Sequence, residues 1–385
     1  MRFVISVLAA AVALSAAGAS AEQDSTKPLT VGIFSNIGSF SASGSGVEGS
    51  QSLAYLQMIY ASPTWGAGFT SSYAAVDYTT GAAADRYQRS TVTDTAVTSF
   101  YNVKSGALRA RFGVDLGLPT GQATQTSEEL SRSITDDIYE DLLLLNNYGS
   151  GMNMAAHLAL SYQTGRITWG LGARYLTAGA YDPMSDREQD EFDPGDSLLA
   201  LASVLFSFGD RGSALLNLSR TSQGHDKQNG KDIFRNGDIM ALEIRLFRDW
   251  GSSLSTSLVA LERQQDKNER LYADEQYKSE TGNANANSTE VFLETAWTRS
   301  DALVLTGVLG YKSVAANDYP EDDYLHDGGR TKLYIEPGLR WSISKSKLLS
   351  LKLRYSTVDD QKDSFSPAGA TYSVYNVDIG IIMGF

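Results

Sequence analysis

The chain has 385 residues and a formal net charge of −13 at pH 7, and 42% of its residues are hydrophobic. It contains no cysteine, which excludes disulfides, thiol chemistry and cysteine-based metal sites. The excess of acidic residues argues against nucleic acid as a partner. No linker, proline-rich stretch or shift in composition divides the chain, so the sequence favours a single domain.

The N-terminal residues have the pattern of a secretory signal peptide. A positive charge at the second position precedes an apolar stretch, and Ala19 and Ala21 place small residues before a cleavage point. We predict a signal peptide at 1–21, cleavage before Glu22, and a short periplasmic segment at 22–28. The alternative is an N-terminal anchor, but the apolar stretch is shorter than the roughly 20 residues that a spanning helix needs.

Residues 29–385 repeatedly alternate apolar with polar or small residues. The last segment does so most clearly, and the residues we expect to face lipid are Tyr375, Val377, Ile379, Ile381, Met383 and Phe385. Strands of membrane barrels alternate in this way, with apolar residues facing lipid and polar ones facing the lumen. Pro337 interrupts one such segment, and because proline lacks a backbone N–H we expect a local bulge there.

The connections between these segments alternate in length. Eight long polar stretches and seven short turns imply about sixteen strands beginning near Leu29, and fourteen stays open because the first four are the weakest. The fold class is therefore all-β, a transmembrane antiparallel up-and-down barrel. A soluble sandwich would explain one strand equally well, but an open sheet of so many strands would leave its edges and its apolar face uncovered.

The end of the chain supports the same class. An alternating strand that stops at Phe385 resembles the C-terminal insertion signal of bacterial outer-membrane proteins, with Met383 where that pattern often has tyrosine. The resemblance implies the Gram-negative outer membrane, contact with its lipid and lipopolysaccharide, and recognition of Phe385 by the barrel-assembly machinery. Trimers are common among porins, so a homotrimer is a possible assembly.

The longest loop, at 119–151, is a candidate constriction. In the sixteen-stranded general porins, which this chain resembles in topology, the connection at this place folds into the barrel and narrows it. We expect its acidic residues to take part, namely Glu128, Glu129, Asp136, Asp137, Glu140 and Asp141. The alternative is a solvated outer loop that covers the mouth.

Charged residues of both signs, mixed in near balance, fall at the inward positions of the predicted strands. The candidate pore-lining residues are Arg109, Arg111, Asp115, Arg174, Glu336, Arg340 and Arg354. A water-filled lumen tolerates such charges, whereas an isolated buried ion costs several kcal/mol. We therefore predict passive diffusion of small solutes, with selectivity from a field between the inward arginines and the acidic loop.

Two other functions stay open. Leu118-Pro119-Thr120-Gly121 is similar to a stretch in outer-membrane transporters linked to phenol meta-pathway degradation, and that resemblance implies passage of small aromatic or apolar compounds. Pro-Thr-Gly also suits any turn that ends a strand. A structural or adhesive barrel with an occluded lumen, acting through its acidic loops, is the other alternative.

Catalysis and metal binding have little support in the sequence. The three histidines are His157, His225 and His326, and no nucleophile, zinc-binding or P-loop motif accompanies them. The acidic loops could hold divalent cations, but they lack the spacing of a calcium loop and are typical of solvated loops. We predict no enzyme, no cofactor and no resident metal.

Overall fold

The structure, a computed structural model, describes residues 28–43, 47–80, 86–126, 149–186, 191–362 and 369–385. The predicted signal peptide and most of the predicted periplasmic segment lie outside the described residues. The strands are β1 (Leu29–Ala42), β2 (Val47–Ala61), β3 (Trp65–Thr80), β4 (Arg86–Val92), β5 (Thr95–Ser105), β6 (Leu108–Leu118), β7 (Asn153–Thr164), β8 (Ile167–Thr177), β9 (Phe192–Asp193), β10 (Ser197–Ser207), β11 (Gly212–Gln223), β12 (Asp226–Gln228), β13 (Lys231–Arg235), β14 (Ile239–Asp249), β15 (Leu254–Gln265), β16 (Glu269–Leu271), β17 (Tyr277–Ser279), β18 (Ser288–Ser300), β19 (Leu303–Val314), β20 (Arg330–Ser344), β21 (Lys347–Asp360) and β22 (Ala370–Gly384).

The long strands form one closed antiparallel barrel. Each pairs with the next long strand along the chain, and β22 pairs with β1, so the sheet has no free edge. Strands β4 and β5 both pair with β3 and act as one interrupted strand, which gives a barrel of 16 strands. The prediction of about sixteen strands in an up-and-down barrel is confirmed, and β1 begins at Leu29 as expected.

The two ends of the barrel differ as the sequence predicted. Tight turns join the strands at one end, and Gly106 and Gly165 adopt φ values of 59° and 56° in two of them. That left-handed region is costly for residues with a Cβ atom, which explains glycine at these positions. Strand β1 begins and β22 ends at the tight-turn end, which is the periplasmic end in outer-membrane barrels. No helix in the described residues is long and apolar enough to cross a membrane.

The predicted alternation holds along the last strand. Tyr375, Ile379 and Ile381 are exposed on the outside of the barrel, while Val374 and Asn376, on either side of Tyr375, are buried inside. The pairing of β22 with β1 places Asp378 opposite Asn36, whose amide Nδ2 donates to the Asp378 carboxylate at 2.6 Å. This hydrogen bond joins two inward polar side chains across neighbouring strands.

The bulge expected at Pro337 is wrong. Ile335 pairs with Tyr355 and Gly338 with Lys352, so the register between β20 and β21 is the same on both sides of the proline. On the other side of the strand, Pro337 stays opposite Gly307 of β19. Because proline has no backbone N–H, the β20–β21 ladder is interrupted at this point. The pairs on both sides keep their register, and no residue is inserted.

The hydrophobic core lies inside the barrel, towards the end that carries the long loops. Its side chains come from the inward faces of β1–β4, β21 and β22, and they are Phe40, Leu53, Ala74, Val76, Tyr87, Val358, Tyr372 and Val374. All are almost fully buried. This upper apolar cluster, which the alternation alone did not predict, fills part of the lumen beneath the mouth.

Three neighbouring long loops add a second, five-stranded sheet beyond the barrel. Its strand order is β17-β16-β13-β12-β9, and all of its pairs are antiparallel. The sequence shows these loops only as long polar stretches. Their strands are two to five residues long, too short for alternation to reveal them.

Candidate functional site in the barrel lumen

The structure places all seven candidate pore-lining residues on the inward faces of barrel strands. Arg109, Arg111 and Asp115 alternate with the outward-facing Phe112 and Val114 of β6, which are exposed on the barrel surface. The same alternation turns Arg174 of β8, Glu336 and Arg340 of β20, and Arg354 of β21 inward. Their role in conduction stays a prediction, and their surroundings fall into separate groups.

The first group surrounds the Asp115 carboxylate. The Thr98 hydroxyl donates to it at 2.7 Å, and the Arg174 Nε atom donates to it at 3.2 Å. The Nδ1 atom of His157 lies 3.5 Å from the same carboxylate. These residues come from β5, β6, β7 and β8, so this network ties four consecutive strands together from the inside.

The second group lies nearer the periplasmic end of β5 and β6. The Arg111 Nε atom donates to the Asn102 side-chain oxygen at 2.8 Å, and its guanidinium carbon lies 4.3 Å from the centre of the Phe100 ring. Arg109 pairs in the ladder with Lys104, and both side chains are exposed. This part of the wall therefore presents three positive charges to the lumen.

The third group centres on Glu336, which is 4% exposed. Its carboxylate accepts hydrogen bonds from Arg354 Nε at 2.8 Å and Arg354 Nη2 at 2.6 Å, and Lys352 Nζ lies 3.1 Å away. The Arg354 guanidinium also lies 5.0 Å from the centre of the Tyr334 ring, whose hydroxyl donates to Glu290 at 2.7 Å. One buried carboxylate is thus shared by two cations, so the group keeps a net positive charge.

The fourth group joins β11, β14 and β18. Arg245 lies 3.1 Å from Glu243 and 3.0 Å from Glu294, and Asn217 donates to Glu243 at 3.1 Å. The side chains of Arg245 and Glu294 are 37% and 38% exposed. Since both face inward, this exposure is to the lumen, which is accessible to water at this height.

Cations outnumber carboxylates on the inward faces of the described strands. The inward cations are Arg89, Lys104, Arg109, Arg111, Arg174, Arg245, Arg263, Lys312, Arg330, Lys332, Arg340, Lys352 and Arg354. The inward carboxylates are Asp115, Glu243, Asp249, Glu290, Glu294, Glu336, Asp360 and Asp378. The sequence reading expected both signs in near balance. The wall is instead biased towards positive charge, although the whole chain is acidic.

The structure describes the two ends of the long loop, 119–126 and 149–151, and one carboxylate binds both of them. Asp94, between β4 and β5, accepts from the Gly121 backbone N–H at 2.9 Å and from the Ser150 backbone N–H at 2.7 Å. Gln125 is 2% exposed, and its side-chain oxygen accepts from the Tyr87 hydroxyl at 3.2 Å. The loop therefore starts along the inner wall. The six acidic residues of the candidate constriction fall between 127 and 148, outside the described residues.

The outer surface of the barrel is apolar and bordered by aromatic side chains. All five tryptophans, Trp65, Trp169, Trp250, Trp297 and Trp341, lie exposed at the tight-turn end. A second set of exposed rings, Tyr73, Tyr175, Tyr311 and Tyr375, lies nearer the loop end. Exposed aliphatic side chains fill the wall between these two sets, and aromatic girdles that border an apolar band mark the two interfaces of a lipid bilayer.

The chain is an outer-membrane β-barrel. A closed barrel satisfies every strand's backbone hydrogen bonds within the wall, which a chain in contact with lipid requires. Binding of lipopolysaccharide, recognition of Phe385 by the assembly machinery and formation of a homotrimer stay predictions.

No protein-family model and no curated protein matches the sequence. Among solved structures, the Ralstonia pickettii toluene transporter TbuX aligns with 93% of this chain and 90% of its own, at 8% identity and a TM-score of 0.43. An outer-membrane channel from Pseudomonas putida F1 covers 93% and 96%, at 11% identity and a TM-score of 0.42. An anion-selective porin from Comamonas acidovorans covers 93% and 98%, at 12% identity and a TM-score of 0.40. At these identities and TM-scores the resemblances do not assign a function to this chain.

The second sheet, formed by β9, β12, β13, β16 and β17 and called the loop sheet below, holds a group of titratable residues outside the lumen. His225 Nδ1 lies 3.0 Å from the Asp232 carboxylate, and the His225 ring packs 4.8 Å from that of Tyr277. Burial, together with the nearby Glu269 and Asp232 carboxylates, raises the pKa of Tyr277 to about 12. Burial also raises the pKa of Asp226, and the neighbouring Asp193 carboxylate adds to the effect.

In the described part of the chain, the candidate catalytic and metal-binding residues do not come together in one site. His157 faces Asp115 in the lumen, His225 lies in the loop sheet, and His326 Nδ1 lies 2.7 Å from the Tyr319 carbonyl oxygen. The three histidines are thus in separate places. Within the described ranges no group of three or more histidine, aspartate and glutamate side chains is arranged to hold a metal ion. The absence of catalysis stays a prediction.

Sequence reasoning placed the inward charges correctly, but it missed what surrounds them. It did not foresee that Asp94 would anchor the long loop, because Asp94 lies in a break between two strands where alternation gives no direction. The backbone N–H of Gly121, the last residue of the Leu-Pro-Thr-Gly stretch, donates to that carboxylate. A structural role for this residue is therefore observed.

Proposed function

We propose that the barrel is a passive pore for small polar solutes, with a preference for anions set by its wall. The observation that carries the proposal is the solvent-accessible, charged inner surface near mid-height. Lys352 is 49% exposed and Arg354 is 30% exposed there, beside the accessible Arg245–Glu294 pair. Charges in such a position are hydrated, and a dry, plugged barrel would have to pair and bury them.

The mechanism we propose is size exclusion combined with the field of the wall. A solute that enters from the acidic loops meets a lumen in which cations exceed carboxylates, and Lys104, Arg109 and Arg111 lie towards its periplasmic end. Such a field raises the local concentration of anions and lowers that of cations. The acidic part of the long loop lies outside the described residues, so the proposed selectivity depends on the wall alone.

A second candidate is a facilitator for small apolar or aromatic compounds. The upper apolar cluster favours it, because Phe40, Tyr87 and Tyr372 bring aromatic rings into the lumen. The same cluster argues against an open apolar pocket, since its members pack against one another and are almost fully buried. An apolar solute would have to displace these contacts before it entered.

Liposome swelling distinguishes the two candidates. Liposomes that contain the refolded chain from Glu22 should swell in isosmotic solutions of small sugars, with rates that fall steeply as the sugar becomes larger. Liposomes without protein serve as the control. Absence of swelling by a folded barrel would contradict the passive pore, and uptake of toluene without sugar permeation would favour the apolar facilitator.

A further inference from the structure

A cavity of about 380 Å³, lined in part by charged side chains, lies against the inner wall between β14 and β21. It is on the water-accessible side of the lumen and at some distance along the wall from the upper apolar cluster. The polar and charged residues that line it and matter here are Arg245, Ser257, Glu294, Glu336, Arg340 and Lys352. The volume is at the low end for small-molecule sites, which range from about 300 to 1,000 Å³, so it suits a solute of a few carbon atoms.

Both carboxylates of the cavity are already compensated. Glu294 lies 3.0 Å from Arg245, and Glu336 lies 3.1 Å from Lys352 while it also accepts from Arg354. A cationic solute would therefore have to compete with side chains that are fixed nearby. The lining has no uncompensated negative charge to offer.

Arg340 is the lining residue whose charge is not compensated. Its side chain is exposed to the cavity and has no hydrogen bond or ion pair with any described residue. A guanidinium presents its N–H groups in a planar fork that matches a carboxylate or phosphate with two parallel hydrogen bonds. Lys352, which is 49% exposed, adds a second positive charge to the same lining.

A second, independent feature of the cavity is the Ser257 hydroxyl. Ser257 is only 6% exposed, and its Oγ atom has no hydrogen-bond partner. A buried hydroxyl without a partner is unfavourable and uncommon in folded proteins. Since Ser257 lines the cavity, a bound acceptor oxygen would satisfy it.

We propose that this cavity binds a small oxyanion, either a carboxylate or a phosphate group. Arg340 supplies the paired hydrogen bonds and Lys352 a second positive charge, while Ser257, three strands away on β15, supplies a neutral donor for a second polar group of the solute. The proposal rests on the proposed pore function only in that the lumen must be reachable by the solute. It specifies the chemical class of the solute and the position along the wall at which that solute binds.

Isothermal titration calorimetry of the refolded barrel in detergent, at low salt, tests the site without requiring conduction. Succinate and inorganic phosphate are titrated separately, and neutral succinamide is the matched control ligand. We expect binding of at least one anion and none of succinamide. The two anion titrations distinguish a carboxylate site from a phosphate site.

Three variants locate the binding. Arg340→Gln should weaken binding about tenfold or more, since it removes a charge-assisted contact, and Ser257→Ala should weaken it about threefold. Arg248→Gln is the control, because Arg248 points outward and its guanidinium lies 5.7 Å from the ring of Trp250. Each variant is first checked for the folded barrel by circular dichroism and by its heat-dependent mobility in gels.

No anion binding by the folded wild-type barrel, or equal binding by Arg340→Gln, would overturn the proposed site. The result is separable from the pore function. A barrel that permits sugar-driven swelling but binds no anion contradicts only this site. A barrel that binds succinate through Arg340 without any swelling contradicts only the passive pore.

Discussion

The Glu336→Gln variant tests whether the charges of the wall are compensated as the structure shows. Glu336 is 4% exposed and is shared by Lys352 and Arg354 at distances of 2.6 to 3.1 Å. The loss of one partner from a fully buried ion pair costs about 3–5 kcal/mol. Here both cations are partly exposed and the glutamine carbonyl can still accept one hydrogen bond, so we expect a loss of about 1–3 kcal/mol in the free energy of unfolding.

Glu294→Gln is the matched control for this prediction. Glu294 is 38% exposed, and its partner Arg245 keeps Glu243 at 3.1 Å. Exposed ion pairs contribute about 0–1 kcal/mol, so the control should change stability little. Urea unfolding of the barrel in phospholipid vesicles measures both variants. Equal losses in the two would refute the reasoning, because burial of the shared carboxylate would then have no effect.

Three further predictions address the wall, the packing and the loops. Replacing Arg109 and Arg111 together by glutamine should move the reversal potential in a KCl gradient towards less anion preference, and an unchanged potential would remove them from the selectivity mechanism. Gly310→Ala should destabilise the barrel by about 1–3 kcal/mol, because its Cβ atom would lie 2.1 Å from the Tyr334 ring, whereas Gly172→Ala, with its nearest contact at 3.6 Å, should be tolerated in the same unfolding assay. Asp226→Asn should slow hydrogen exchange of the loop sheet at pH 7. Because the folded pKa of Asp226 is raised, its stabilising contribution is complete below its ordinary pKa and is lost as the pH rises through the folded value. The two proteins should therefore converge in acid, and a constant difference across the pH range would contradict this assignment.

Most of the barrel follows from the sequence because its two faces meet different solvents. On β22, Tyr375 and Ile379 must face lipid, and the side chains between them must then face inward, so strand direction and register follow from a period of two. The same logic placed Arg109, Arg340 and Glu336 inside. Alternating short and long connections then gave the strand number.

The features that could not be predicted from the sequence depend on contacts between residues far apart along the chain. No local pattern reveals that Asp94 binds both Gly121 and Ser150, since the three are brought together only by the pairing of β5, β6 and β7. The upper apolar cluster was hidden for a related reason. An inward apolar residue such as Val374 looks like an exception to the alternation until its neighbours on β1 and β21 are known.

The charge bias of the wall was also only partly visible in the sequence. Strands with clear alternation gave Arg174 and Arg354, but Lys104 and Lys312 lie near strand ends, where the sequence does not define which face a residue joins. The register of the pairs Lys104–Arg109 and Lys312–Lys332 settles their direction. These lysines add to the excess of cations on a wall that was expected to be near balance.

Single-channel recording of the refolded chain from Glu22 in a planar lipid bilayer tests the central claim most directly. We predict steady, ohmic current steps and a reversal potential in a KCl gradient that indicates preference for chloride. A folded barrel that inserts but carries no current would contradict the open, water-filled lumen.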